Sequence, residues 1–131
     1  VRSATLGGAP SMEAGMGQHV SEALIDPADV PEDVLVSFDI EMGQERLAVM
    51  ALRRGETLQV WHNVCPHAGR RLDYAPGKFL MQGGRLVCAA HGAQFSLDDG
   101  ACVDGPGRGG RLAALEVSRA TAGWCVRLPT A

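Results

Sequence analysis

Cysteine and histidine fall in two mixed pairs, Cys65-Pro66-His67 and Cys88-Ala89-Ala90-His91, with twenty residues between His67 and Cys88. Each pair offers one thiolate and one imidazole within a few residues. A single ion held by two cysteines and two histidines is usually zinc, but finger-type zinc spacing groups cysteine with cysteine and histidine with histidine. Mixed halves suit a two-iron centre, with one cysteine and one histidine supplied by each of two loops. On ligand types alone, zinc stays open as the alternative.

The pattern extends past the donors. His67-Ala68-Gly69 and His91-Gly92 place glycine soon after each histidine, Ser96-Leu97-Asp98-Asp99-Gly100 reads as a hairpin, and Gly105-Pro106-Gly107 is a glycine-flanked proline. On these residues the chain resembles the Rieske family of [2Fe–2S] proteins, with its C-x-H…C-x-x-H signature, from about Val60 to Leu115. The resemblance implies one [2Fe–2S] cluster. Cys65 and Cys88 would bind one iron, His67 and His91 the other, and two sulfides would bridge them. It also implies that Gly105-Pro106-Gly107 covers the cluster from a third side. The chain departs from the common ferredoxin pattern at Ala89, where proline is more usual, which bears on loop stiffness rather than on ligation.

Comparison with the family's high-potential branch separates this chain from it. That branch carries two further cysteines in its cluster loops, joined as a disulfide. Arg70 and Ala90 stand at the corresponding positions. It also places a serine after the second His-Gly and a tyrosine two residues on, whereas this chain has Ala93 and Phe95. Cys102 and Cys125 lie outside both loops and read as small buried side chains on strands. A disulfide between them is not expected in a reducing compartment.

At 131 residues, with 46% hydrophobic residues, the chain is long enough for one core and too short for two ordinary domains. Seventeen glycines and only 5% aromatics point to turns and loops rather than long helices. No run approaches 18 apolar residues, so no spanning helix is expected. No leader is read ahead of the domain, and a cytoplasmic location is the expectation. The net charge of −3 is uneven: residues 1–64 carry −6 and residues 65–131 carry +3. The basic side chains Arg70, Arg71, Lys78, Arg85, Arg108 and Arg111 would suit an acidic partner surface or form an ordinary solvated one. Nucleic-acid binding is not expected, because no basic run is interleaved with aromatics.

Residues 1–17, rich in Gly, Ala, Ser and Met, read as a flexible extension, and 18–131 as the domain. Residues 26–33 read as a proline-broken connector. Leu35–Ile40, Arg46–Leu52 and Leu58–Trp61 read as strands, with a turn at Arg53–Glu56. A long connection from Asp73 to Gly84 leads to a short strand at Arg85–Val87. Leu115–Ser118 and Trp124–Leu128 form a last hairpin. The predicted fold is all-β, an antiparallel β sandwich with a small cluster-binding lobe.

The implied function is one-electron transfer rather than catalysis. Only His19 and His62 remain beyond the paired histidines. They do not suffice for the second iron site of a ring-hydroxylating oxygenase, two histidines and a carboxylate, and no nucleophile–base pair is evident. The resemblance implies a carrier between a flavin-dependent reductase and a terminal oxygenase. A small Rieske subunit of a larger oxidoreductase, such as an assimilatory nitrite reductase, is the second reading. A zinc-binding interaction module is the third.

Overall fold

A computed structural model describes residues 2–6, 22–42, 44–66, 68–106 and 109–128. The described chain is almost entirely strand and loop. β1 (Arg2–Leu6), β2 (Glu22–Ile25), β3 (Val36–Met42), β4 (Glu45–Arg54) and β5 (Thr57–His62) precede the first ligand loop. β6 (Asp73–Ala75), β7 (Lys78–Gln82) and β8 (Arg85–Val87) separate the two ligand loops. β9 (Gln94–Ser96), β10 (Cys102–Asp104), β11 (Ala114–Leu115), β12 (Val117–Ala120) and β13 (Gly123–Arg127) complete the chain. An eight-stranded sheet runs β11-β5-β4-β3-β1-β2-β13-β12, and a five-stranded sheet runs β10-β9-β8-β7-β6. The smaller sheet is the small lobe expected from the sequence, and the two Cys/His loops flank its strands β6–β8.

The strand β4 explains how the two parts share one scaffold. Its run Leu47-Ala48-Val49-Met50-Ala51-Leu52 looks uniformly apolar because both faces are covered. Leu47, Val49 and Ala51 point into a first core with Ile25, Phe38, Trp124 and Val126. Met50 and Leu52 point the other way, into a second core with Trp61, Leu86 and Phe95. β5 repeats the alternation, with Leu58 and Val60 in the first core and Trp61 in the second. Because β2 and β13 share the first core with β3–β5, the large sheet folds back upon itself as a sandwich. The lobe then packs on the outer face of β4 and β5.

Four features depart from the sequence reading, one of them the strand β2 at Glu22–Ile25, which the sequence left unassigned. Arg2–Leu6, placed in the extension, form a strand between β3 and β2. Their backbone groups satisfy two neighbouring strand edges, a requirement that composition does not register. Residues 7–17, the rest of that extension, lie outside the described residues. β1 and β3 are also parallel, whereas the other ladders are antiparallel. Finally, Asp73–Gly84 is a hairpin, β6 against β7, not an unstructured connection. Leu80 and Met81 on β7 are successive and both 43% exposed, so this ribbon lacks the alternation that marks a half-buried strand.

No described helix is long and apolar enough to cross a membrane.

Candidate metal centre

The first ligand loop leaves β5 and returns at β6. Within it, the Cys65 N–H donates to the Arg70 carbonyl at 2.7 Å, and the Gly69 N–H donates to the Cys65 carbonyl at 2.8 Å. The second loop joins β8 to β9 with the same frame. The Cys88 N–H donates to the Ala93 carbonyl and the Gly92 N–H to the Cys88 carbonyl, both at 2.8 Å. The closing glycines sit at φ 68° and 81°, a left-handed geometry that an L side chain adopts only with strain. That requirement explains why each Cys/His pair is followed by glycine. The turn at Ser96–Ala101 has the same frame, with Gly100 closing it. The geometry is thus a turn used three times, and two of its copies carry donors.

Cys65 and Cys88 are 0% and 1% exposed and lie in one apolar core with Leu72, Leu86, Ala93 and Phe95. His91, three residues after Cys88, is exposed. A thiolate buried in such surroundings is costly without a positive partner, and metal ligation supplies one. Two buried sulfurs on matched loops, with an imidazole at the surface edge, therefore fit the donor chemistry of a [2Fe–2S] group bound by two cysteines and two histidines. His67 lies outside the described residues. Among the described residues, no three or more His, Cys, Asp or Glu side chains are gathered as a metal-binding group.

The other cysteines, histidines and loop residues singled out in the sequence lie around this centre or away from it. Cys102 and Cys125 are free thiols. Cys102 is buried, and its Sγ approaches the carbonyls of Asp104 at 3.4 Å and Pro106 at 3.7 Å. Cys125 is half-buried on β13, with Sγ 3.8 Å from Glu22 Oε1. Burial and then the Glu22 charge push its thiol above the ordinary value. His62 lines a cavity of about 390 Å³ with Leu47, Leu115 and Arg127. His19, Gly107 and Arg108 fall outside the described residues. Gly105, at φ 80°, sits against the second loop, and a Cβ there would meet the Gly92 carbonyl oxygen at 2.9 Å and Ala93 Cα at 3.1 Å. Gly105 thus lies beside the second loop, with Gly107 of the expected cover outside the described residues.

Sequence reasoning missed the polar fastening of the first loop. Asn63, fully buried, accepts the Leu72 N–H through Oδ1 at 2.9 Å and so bridges the two ends of the loop. Arg71 donates from Nε and Nη2 to the two oxygens of Asp73 at 2.8 and 2.9 Å. It also reaches Asp39 on β3, with Nη1 3.6 Å from Oδ1. Burial pushes the Asp73 carboxyl up, but the bonds from Arg71 and from the Gly77 N–H outweigh it and hold its pKa below the usual carboxylate value. The Arg71 pKa is raised, chiefly by its bond to Asp73. The one available signal was Arg-x-Asp directly after the loop, which is common on any surface.

Fold and site together define an all-β domain in which two matched turns each place a buried cysteine in one apolar core, with an exposed histidine on the second. The chain belongs to the Rieske [2Fe–2S] domain family, whose model matches residues 22–118. Among solved structures, the ferredoxin of carbazole 1,9a-dioxygenase from Nocardioides aromaticivorans IC177 is 21% identical. That match covers 82% of this chain and 95% of the ferredoxin, with a TM-score of 0.57. A complex of reduced oxygenase and oxidized ferredoxin in carbazole 1,9a-dioxygenase contains a chain matched at 16% identity. There 79% of this chain and 89% of that chain are covered, with a TM-score of 0.59. The terminal oxygenase of the Nocardioides enzyme is 21% identical, with 82% of this chain matching 30% of the oxygenase chain at a TM-score of 0.59. These likenesses establish the fold. No curated protein sequence matches the chain.

Proposed function

We propose that this protein is a one-electron carrier in which Cys65, His67, Cys88 and His91 hold one [2Fe–2S] cluster. It would accept electrons from a flavin-dependent reductase and pass them to a terminal oxygenase, in the cytoplasm. The matched loop frames around two buried cysteines carry this reading, together with the family membership. When bound, the group supplies reversible one-electron chemistry at a potential raised by its two neutral imidazole ligands. The protein's part is to exclude water from the sulfur side through Leu72, Leu86 and Phe95 and to present His91 at the surface edge. The likeness to the ferredoxin of a carbazole dioxygenase over nearly that protein's whole length supports the carrier role. The likeness to a segment of a terminal oxygenase favours a second reading, a bound module of a larger oxidoreductase.

The purified protein should be coloured and carry about two irons and two acid-labile sulfides. Replacing Cys65, His67, Cys88 or His91 by Ala should abolish the reducible visible spectrum, while Cys102→Ser and Cys125→Ser should preserve it. Loss of the cluster in Cys102→Ser would refute the ligand assignment. Affinity capture separates the two readings: a carrier gives transient, salt-sensitive association, and a module gives a stoichiometric partner.

A further inference from the structure

The two ligand loops share one hydrogen-bond frame but are fastened by different forces. In the second loop, the carbonyl that holds the Cys88 amide belongs to Ala93, which is fully buried among Leu86, Phe95 and Cys102. The Gly105 backbone lies against the same segment. In the first loop, the equivalent carbonyl belongs to exposed Arg70. The next residue, Arg71, makes a two-pronged bond to Asp73 on β6 and a longer ion pair, 3.6 Å, with the otherwise unpartnered Oδ1 of Asp39 on β3. The Asp73 side chain is 1% exposed and that of Asp39 15%, whereas that of Arg71 is 43% exposed. A buried carboxylate needs its cation, so breaking this pair leaves an uncompensated charge beside the loop's return limb.

We infer that Arg71 is a positioning residue, an ionic latch that ties the return limb of the first loop to the large sheet and thereby sets the Arg70 carbonyl against the Cys65 amide. The first loop adds this ionic tie to its Asn63 bridge and its apolar contacts, whereas the second is held by apolar packing. Loss of the latch opens the first loop selectively, and with it one half of the ligand set. This last consequence rests on the proposed cluster; the latch itself does not.

The test compares the wild type with Arg71→Met and Asp39→Asn, each as the full chain as purified. Hydrogen exchange is read by mass spectrometry in peptides spanning residues 63–72 and 87–94, and colour loss is followed under an iron chelator. In both variants, exchange in the first peptide should rise roughly tenfold, as expected for a half-exposed ion pair with one buried partner. The second peptide should keep its wild-type rate, and colour loss should accelerate in step with the first. Arg71→Lys restores the charge without the two-pronged geometry and should recover part of the protection. If Arg71→Met does not fold, Asp39→Asn, of nearly the same shape, still reads the latch, because Asp39 is the partner on the large sheet. Equal acceleration in both peptides, or in neither, would overturn the proposal. A colourless wild type whose first peptide alone responds to the substitutions would overturn the cluster reading and support the latch.

Discussion

Ala93 and Phe95 are fully buried beside Cys88, and neither side chain can donate a hydrogen bond. High-potential members of the family carry hydroxyls at the matching positions, and such donors favour the reduced, more negative centre. A hydrogen bond to a charged group contributes roughly 1.5–3 kcal/mol, of which only part differs between oxidation states. At about 59 mV per 1.4 kcal/mol for one electron, each missing hydroxyl lowers the potential by several tens of millivolts. The protein should therefore lie toward the negative end of a family range of roughly −150 to +300 mV. Protein-film voltammetry near neutral pH tests this, and Ala93→Ser and Phe95→Tyr should each raise the value. A wild-type potential above about +150 mV, in the upper part of that range, would contradict an oxygenase-donor role.

Among the elements, the approach of β10 to the second ligand loop depends on Gly105. Gly105 and Gly55 both have positive φ, 80° and 63°, but a Cβ at Gly55 meets nothing within 4 Å. Gly55→Ala should therefore cost only the left-handed backbone term, about 1–2 kcal/mol. Gly105→Ala adds an overlap with the Gly92 and Ala93 backbone, roughly 1–3 kcal/mol more. Urea midpoints would show the difference, and equal costs would mean that the contact is not tight. Acid acts on the link between β3 and β6. The depressed Asp73 pKa contributes stability that is fully present above the ordinary carboxylate value of 3.8 and is lost as pH falls toward the folded value. Arg71 is the charged group against this carboxylate; Asp39 shares Arg71, and Arg46 in turn pairs with Asp39. Asp73→Asn should be less stable than the wild type at pH ~7 and lose less between pH ~5 and ~3, by thermal midpoints. Parallel curves for the two proteins would refute this.

The sequence revealed these elements unevenly, for physical reasons. β3, β4 and β5 were legible because an apolar side chain enters a core at every second position, and in β4 at nearly every position. The ligand loops were legible because their donor types and glycines answer a chemical and a conformational demand at fixed spacing. β1, β2 and the β6–β7 ribbon were not. Glu22–Ile25 is a four-residue alternation in a polar, glycine-rich context, and β7 exposes its apolar side chains. Asn63, Arg71 and Asp73 gain their roles only from the return of the chain past β3, which no local pattern encodes.

At the scale of the whole molecule, each of two mainly aliphatic cores contains two large aromatics. The first core is built on Phe38 and Trp124, the second on Trp61 and Phe95, and β4 stands between them. Both proposed cysteine ligands belong to the second core, so stability and cluster environment should be separable. Trp124 is 2% exposed, and its Nε1 donates to the Glu56 carbonyl across the sandwich at 3.2 Å. The guanidinium carbons of Arg53 and Arg119 lie 5.3 and 5.6 Å from its ring centroid. Such contacts contribute about 0.5–1 kcal/mol each at exposed sites, and truncation of a buried tryptophan to alanine costs about 3–5 kcal/mol. That is a large share of the roughly 5–15 kcal/mol that holds a domain of this size together. Trp124→Phe keeps most of the volume and should lower the thermal midpoint moderately while leaving the visible spectrum and potential unchanged. Trp61→Phe, in the core that holds Cys65 and Cys88, should disturb the spectrum even where its stability loss is no greater. If Trp124→Phe shifts the potential as much as Trp61→Phe does, the two cores are coupled through β4, and the cluster lobe is not the separable unit that the alternation of β4 and β5 implies.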